Sequence, residues 1–332
     1  MTLDSITIAK YFSPLNIKYK IIPLLLLVLI FQINFMDDDL FFSLNFNKRS
    51  NKIIKIVAGN GNQFFQYALG LMIEKYIGVD VYFDYSSYGC NGIQSSPRYC
   101  FNGKTYGRIR PLRLNLFNIS NKKIATQDMI NKATPIPEST IIEQGFKALN
   151  NGENQKLSGF FETNKIYDFD DPENLKIFRE NFALKDGIKD ESDIELLKNI
   201  RDADSVSIHF RKTDHVRLSD VPLSYYTKAM DYIKSKIPNL IYFVFSDDLN
   251  WVKNNVNFNS NYTFVTHGKN GHLDIELMKN CKHNIIAPST FSFWAAELNE
   301  NKNKIVIAPM NHNPNGKQSQ PVYPKSWVLL SD

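Results

Sequence analysis

Cysteine is scarce in this 332-residue chain: Cys90, Cys100 and Cys281 are the full set. These three and the six histidines show no zinc-ligand spacing, which argues against a zinc site. No dense basic stripe is present. The net charge of +5 is spread along the chain, so nucleic acid is not an expected partner, whereas an anionic small molecule suits the mild positive balance. Repeats and long low-complexity tracts are absent. What the chain has in quantity is aromatics, with 24 Phe and 16 Tyr, and these argue against disorder. At 43% hydrophobic and 22% charged, it can pack one large domain or two.

One apolar run approaches membrane length. Ile21 to Phe31 is apolar throughout and continues to Phe35 through Gln32 and Asn34. At ~1.5 Å per residue these positions span roughly 22 Å, short of a ~30 Å hydrocarbon core, so flanking residues must help. Lys10, Lys18 and Lys20 precede the run and Asp37, Asp38 and Asp39 follow it. That asymmetry predicts an uncleaved signal-anchor over 21–35, a cytosolic tail over 1–20, a stem over 36–52 and a lumenal body. A buried core helix and a cleaved signal peptide are the alternatives. The sequons at Asn118 and Asn261 fit a lumenal body as glycosylation sites. Cys90 and Cys100 lie in a Gly/Ser/Pro-containing loop, and a disulfide between them in an oxidising lumen is an open alternative to free thiols.

From Ile53 onward, short β-branched runs alternate with helical patterns. Strands are predicted at Ile53–Val57, Val79–Phe83, Thr140–Glu143, Leu157–Phe161, Val206–Phe210, Leu240–Phe245, His283–Ala287 and Lys304–Ala308. Helices are predicted from Phe64, at Pro172–Phe182, Tyr225–Ser235, Asp274–Lys279 and Phe291–Leu298. This alternation predicts an α/β protein with parallel sheets. Two Rossmann-like domains facing a cleft are expected, at 53–195 and 196–332.

In open α/β sheets ligands bind at the carboxyl ends of strands, and four of these ends are polar. The first delivers Gly59-Asn60-Gly61-Asn62-Gln63 into a helix. Glycines there let backbone N–H groups approach a ligand, and the helix N-terminus favours anions. This loop carries no Gly-Lys-Ser/Thr, and Phe64 stands at the third glycine of the dinucleotide fingerprint, so neither familiar phosphate loop fits. The amides of Asn62 and Gln63 suit sugar hydroxyls as well as phosphates; a tight capped turn is the structural alternative. The second exit carries His209 and delivers Arg211-Lys212-Thr213-Asp214. His209 and Arg211 share a strand face, and an Arg fork with a Lys beside it suits a phosphate; an ion-pair cluster is the alternative. Asp247 and Asp248 follow the third strand, where they either read a guanine edge or ribose or cap a helix around Trp251. Ser289 and Thr290 stand at the N-cap of the helix that begins with Phe291, as an anion site or as simple caps. Asp202-Ala-Asp204 precedes a strand, the wrong end for a metal-bound nucleotide, and Asp168-Phe-Asp170 has no clear strand before it.

"GNGNQFFQYALG", "SIHFRKTDHV", "FVFSDDLNWVK" and "DIELMKNCKHNIIAPSTFSFWAAEL" together resemble, in order and spacing, the α-1,2-fucosyltransferases of glycosyltransferase family 11. The resemblance runs from about Ile53 to Ala308. Trp294-Ala295-Ala296 and the anchor look like animal-type members, so a single-pass type II Golgi membrane enzyme with a lumenal catalytic domain is expected. The resemblance implies a GT-B fold and inverting transfer of fucose from GDP-β-L-fucose to a galactose-terminated glycan, usually at C2. Arg211 would grip the diphosphate with support from His209 and Lys212. Ser289, Thr290 and Phe291 would hold phosphates from a helix start, and Asp247 or Asp248 would read the guanosine. Gly61, Asn62 and Gln63 would reach in from the first half. With Arg211 and Lys212 as cations, no metal or other cofactor is expected to be required. Asp214 and Asp220 are candidate general bases.

Lys212, Thr213 and His215 depart from the usual Arg-Gly-Asp-Tyr run, and Arg-x-Thr-Asp occurs in α-1,6-fucosyltransferases. An α-1,6-type enzyme and a non-catalytic nucleotide-sugar- or glycan-binding membrane protein are therefore the alternatives.

Overall fold

The computed structural model describes residues 50–88, 99–101, 104–106, 111–149, 152–212, 221–266, 271–310 and 323–331. The expected anchor, Cys90, Asp214 and Asp220 lie outside them, as does the side chain of Cys100. Among the described residues, no helix is long and apolar enough to cross a membrane.

Two parallel sheets carry the fold. The first has the order β2-β1-β6-β5, with β1 at Lys52–Lys55, β2 at Val81–Asp84, β5 at Thr134–Pro137 and β6 at Gln155–Ser158. A hairpin of β3 (Tyr99–Phe101) and β4 (Lys104–Tyr106) pairs apart from it. The second sheet has the order β12-β11-β10-β7-β8-β9. Its strands are β7 (Ser205–Phe210), β8 (Ile241–Ser246), β9 (Asn261–Phe264), β10 (His283–Ile285), β11 (Val306–Pro309) and β12 (Val328–Leu330). Pairings within both sheets are parallel, as helical crossovers require. Every residue of β7 is buried, the signature of a strand covered on both faces.

In the second sheet the chain runs outward through β7, β8 and β9, then returns to the other side of β7 with β10. In the first sheet it runs from β1 to β2 and later returns beside β1 with β6. Each reversal opens a crevice at the carboxyl ends of the strands beside it, where α/β sheets receive ligands.

Helix α1 (Asn60–Ile77) follows β1 and is buried around most of its surface. It stops at Gly78, whose φ of 72° permits the left-handed cap. α2 (Glu138–Gln144) follows β5 and corrects the expected strand at Thr140–Glu143. Pro137 ends β5 and precedes the helix, and Glu138 accepts hydrogen bonds from the N–H groups of Phe160 and Phe161. The position beside β6 is filled by Thr-Pro-Ile-Pro of β5, whose prolines an edge strand tolerates. α3 (Pro172–Asn181) and α4 (Glu191–Asp202) lead into the second sheet. α4 runs through the expected boundary at 195/196 and packs on β7. α5 (Leu223–Lys236), α6 (Leu249–Asn255), α7 (Gly271–Asn280) and α8 (Thr290–Leu298) complete the layers.

The sheets share a core. Trp294 of α8 is fully buried and meets Phe65 of α1 edge-on at 5.0 Å between ring centroids, Phe182 at 5.1 Å and Phe178 of α3 at 5.6 Å. Phe293 stacks on Phe65 at 5.2 Å and packs on Trp327 at 5.3 Å. A helix of the second sheet is thus enclosed by aromatics of the first half.

Candidate active site

The loop after β1 is fixed by side chains behind it. Ala58 adopts a φ of 66°, a strained value for a residue with a Cβ. Its carbonyl accepts from Tyr88 Oη at 2.6 Å and from Gln63 Nε2 at 3.0 Å. Gln63 also donates to Tyr88 Oη and to the Pro111 carbonyl, and its Oε1 accepts from the Arg113 N–H at 3.0 Å. It is fully buried, so the expectation that it faces a donor gives way to a role in bracing the loop. Gln66 accepts from the Val57 N–H at 2.8 Å and donates to the Gly159 carbonyl at 2.9 Å, tying the exit of β1 to that of β6.

This braced loop meets the second half directly. A Cβ on Gly61 would lie 2.4 Å from the carbonyl carbon of Thr290 and 2.6 Å from the nitrogen of Phe291. Only a glycine permits that approach. Beside it, Thr290 Oγ1 donates to Asn62 Oδ1 at 2.5 Å. Gly271 is close too: a Cβ there would lie 3.3 Å from the Phe291 ring and 3.9 Å from Asn60 Nδ2. The first residues of α1, α7 and α8 therefore converge, and each helix start carries partial positive charge. Ser289 caps α8 by accepting from the Phe291 N–H at 3.4 Å, the bond expected of an N-cap serine.

The exit of β7 joins this region through His209, whose ring centroid lies 5.6 Å from that of Phe291. Burial, then the neighbouring Arg211 charge, push the His209 pKa down to about 3 against the pull of Asp247. His209 is therefore neutral near pH 7, and its Nδ1 makes no hydrogen bond among the described residues. Arg211 Nη1 pairs with Asp247 Oδ2 at 3.2 Å, with both side chains under one-fifth exposed. The Lys212 N–H donates to Asp247 Oδ1 at 2.7 Å, and Lys212 Nζ stands 3.9 Å from the Trp251 ring centroid. Asp248 caps α6, accepting from the Trp251 N–H at 2.9 Å. Of the two readings left open for Asp248, the structure shows the cap.

Among the described residues, the polar residues predicted at the exits of β1, β7, β8 and β10 lie at carboxyl ends of parallel strands. Gly61, Asn62, Thr290 and Phe291 are in one contact zone, and His209 touches it. Arg211, Lys212 and Asp247 form a second cluster at the ends of β7 and β8. Sequence reasoning missed Tyr88, Gln66 and Gly271, whose roles depend on partners far away in the chain. Asn118 and Asn261 are both exposed, Asn261 at the start of the edge strand β9.

The profile described as "Glycosyl transferase family 11" matches residues 114–331, more than half of the chain. The chain belongs to glycosyl transferase family 11. It is similar to the Escherichia coli "O-antigen biosynthesis glycosyltransferase WbnK", at 27% identity over 82% of this chain and 98% of that protein. An Escherichia coli "Alpha-1,2-colitosyltransferase" is 28% identical over 77% of this chain and 90% of that protein. The mouse "Galactoside 2-alpha-L-fucosyltransferase Sec1" is 28% identical over 38% of this chain and 37% of that protein. These findings correct the expectation of a Golgi membrane enzyme with a lumenal body. Family members matched over nearly their whole length come from a bacterium, which has no Golgi, while the animal enzyme matches over little more than a third.

Proposed function

We propose that this family 11 enzyme is an inverting α-1,2-fucosyltransferase of GT-B type. It moves L-fucose from GDP-β-L-fucose to the C2 hydroxyl of a terminal galactoside. The acceptor oxygen attacks C1 of fucose, the bond from C1 to the β-phosphate oxygen breaks, and GDP leaves with the electron pair. The hydroxyl proton passes to a base, for which Asp214 and Asp220 are the candidates.

The observation that carries this reading is the position of Arg211. It stands just past the carboxyl end of the central strand β7, two residues after His209, whose ring touches the zone where three helix starts converge. In-line attack needs the diphosphate held and its growing charge stabilised. The guanidinium, Lys212 and the N–H groups at the start of α8 supply fixed positive charge, so the reaction is proposed to need no metal. Ser289, Thr290 and Phe291 would face the phosphates from α8, with Gly61 and Asn62 closing from the first half. The E. coli relative named for colitosyl transfer favours a second donor, the colitose analogue of GDP-fucose.

Purified full-length chain should transfer labelled fucose from GDP-fucose to lactose with EDTA present, and NMR of the product should give an α-1,2 linkage. Arg211→Ala should lower kcat/KM by about 10²–10³-fold, the usual loss for one preorganised charge-stabilising donor, measured at a temperature where circular dichroism shows the variant folded, because the change also breaks the largely buried pair with Asp247. A product linked α-1,6 would move the chain to the other reading, GDP binding without transfer would make it a binding protein, and near-normal turnover by Arg211→Ala would remove that residue from its role.

A further inference from the structure

The register of the second sheet sets Phe210 of β7 opposite Ser246 of β8. The next residue on each strand is Arg211 and Asp247, so the guanidinium and the carboxylate leave neighbouring strand ends side by side. Ser246 ends β8 and Asp247 and Asp248 follow it, and each of the three has a definite contact. Ser246 Oγ accepts from the Asp248 N–H at 3.0 Å. Asp248 caps α6. Asp247 reaches back across the sheet with both oxygens, Oδ2 to Arg211 Nη1 at 3.2 Å and Oδ1 to the Lys212 N–H at 2.7 Å.

We propose that Asp247 is a positioning residue: it aims the Arg211 guanidinium at the diphosphate by clamping the ends of β7 and β8 together, and it does not read the nucleotide's base. This rests on the donor reading above. A guanidinium carries five N–H groups in a planar fork, more than a single carboxylate takes up. The Nη1 contact with a carboxylate therefore restrains where the fork points without using up its donors. The side chains are mostly buried, so solvent competes little for the pair. The second oxygen holds the backbone of the next residue, which fixes the strand end that carries the arginine. Asp247 thus acts on the donor through Arg211, and a double-mutant cycle isolates that dependence.

Isothermal titration of the full-length chain with GDP and with IDP, which lacks the guanine 2-amino group, tests this. Asp247→Asn should weaken GDP and IDP by the same factor, about tenfold or more, as expected for loss of a charge-assisted pair. In an Arg211→Ala background the same change should weaken GDP by less than about twofold, because the residue it acts through is gone. Asp247→Glu restores the charge and should bring GDP affinity back to within about threefold of the parent. If Asp247→Asn fails to fold, Asp247→Glu still decides through its GDP-to-IDP ratio. A ratio that collapses in either variant makes Asp247 a reader of guanine and overturns the proposal, as does an undiminished effect of Asp247→Asn beside Arg211→Ala. Parent chain that binds GDP without transferring fucose overturns only the reaction proposed above. Parent chain that binds no GDP overturns both.

Discussion

A methyl group at position 61 would collide with the Thr290–Phe291 peptide, which is backbone and cannot swing away. Gly61→Ala should therefore push the start of α1 away from that of α8 and break the Asn62–Thr290 hydrogen bond. GDP affinity is expected to fall by about tenfold or more, roughly one misaligned charge-assisted contact. Titration with GDP measures it, and unchanged affinity would show that the contact does not shape the donor site. His209 sets a pH dependence. Its ordinary pKa near 6.5 is pushed down to about 3 in the folded chain, first by burial. Between these values the unfolded chain binds a proton that the folded chain does not, so stability is full above pH 6.5 and drains as pH falls toward 3. Urea melts at pH 7 and 4.5 should show that loss, and His209→Asn should shrink it. At this scale the sequence was legible only in part. It marked Gly61, Arg211 and Thr290 as site candidates because each follows a strand. It did not reveal that Asp247 reaches the Lys212 N–H or that Gln63 points inward, because both depend on neighbours 35 and up to 50 residues away.

Helix α8 joins the site to the protein's interior. Its first residues face the convergence zone, and its far end is held by Lys304, whose Nζ donates to the carbonyls of Ala296, Glu297 and Asn299 at 2.7, 3.3 and 2.9 Å. Arg179 of α3 adds a bond to the Asn299 carbonyl at 3.2 Å. Cations at a helix C-terminus complement its dipole. Lys304→Met keeps the stem and removes the donor, so it should cost about 1–3 kcal/mol, the penalty for buried acceptors left unmet. Equilibrium urea unfolding reads this directly; a change within error would mean that water replaces the ammonium. Strands such as Val206–Phe210 were legible because a β-branched, buried run leaves little choice. The helix at Glu138–Gln144 was not, because Thr140-Ile141-Ile142 has strand composition while its conformation is set by Pro137 and by the partners of Glu138. β9 and β12 escaped for the opposite reason: they are three or four residues long and only partly buried.

Across the whole molecule, the aromatic seam decides how the two sheets behave. Trp294 belongs to the second sheet's last helix, but its ring neighbours include Phe64, Phe65, Phe178 and Phe182 from the first half. The alternation of strands and helices predicted two lobes, and it carried no sign that one lobe's helix would complete the other's core. Trp294→Ala should cost about 3–5 kcal/mol, the usual range for an emptied aromatic site. Calorimetry of the parent should give one transition for residues 50–332, and two separated peaks would mean that the seam is weak. The seam also has a consequence during synthesis. Phe182 leaves the ribosome roughly 110 residues before Trp294, an interval on the order of ten seconds at ~5–20 residues per second. Throughout that interval the aromatic socket lacks its Trp294, so the first half can complete its core only after the second sheet's last helix has been made.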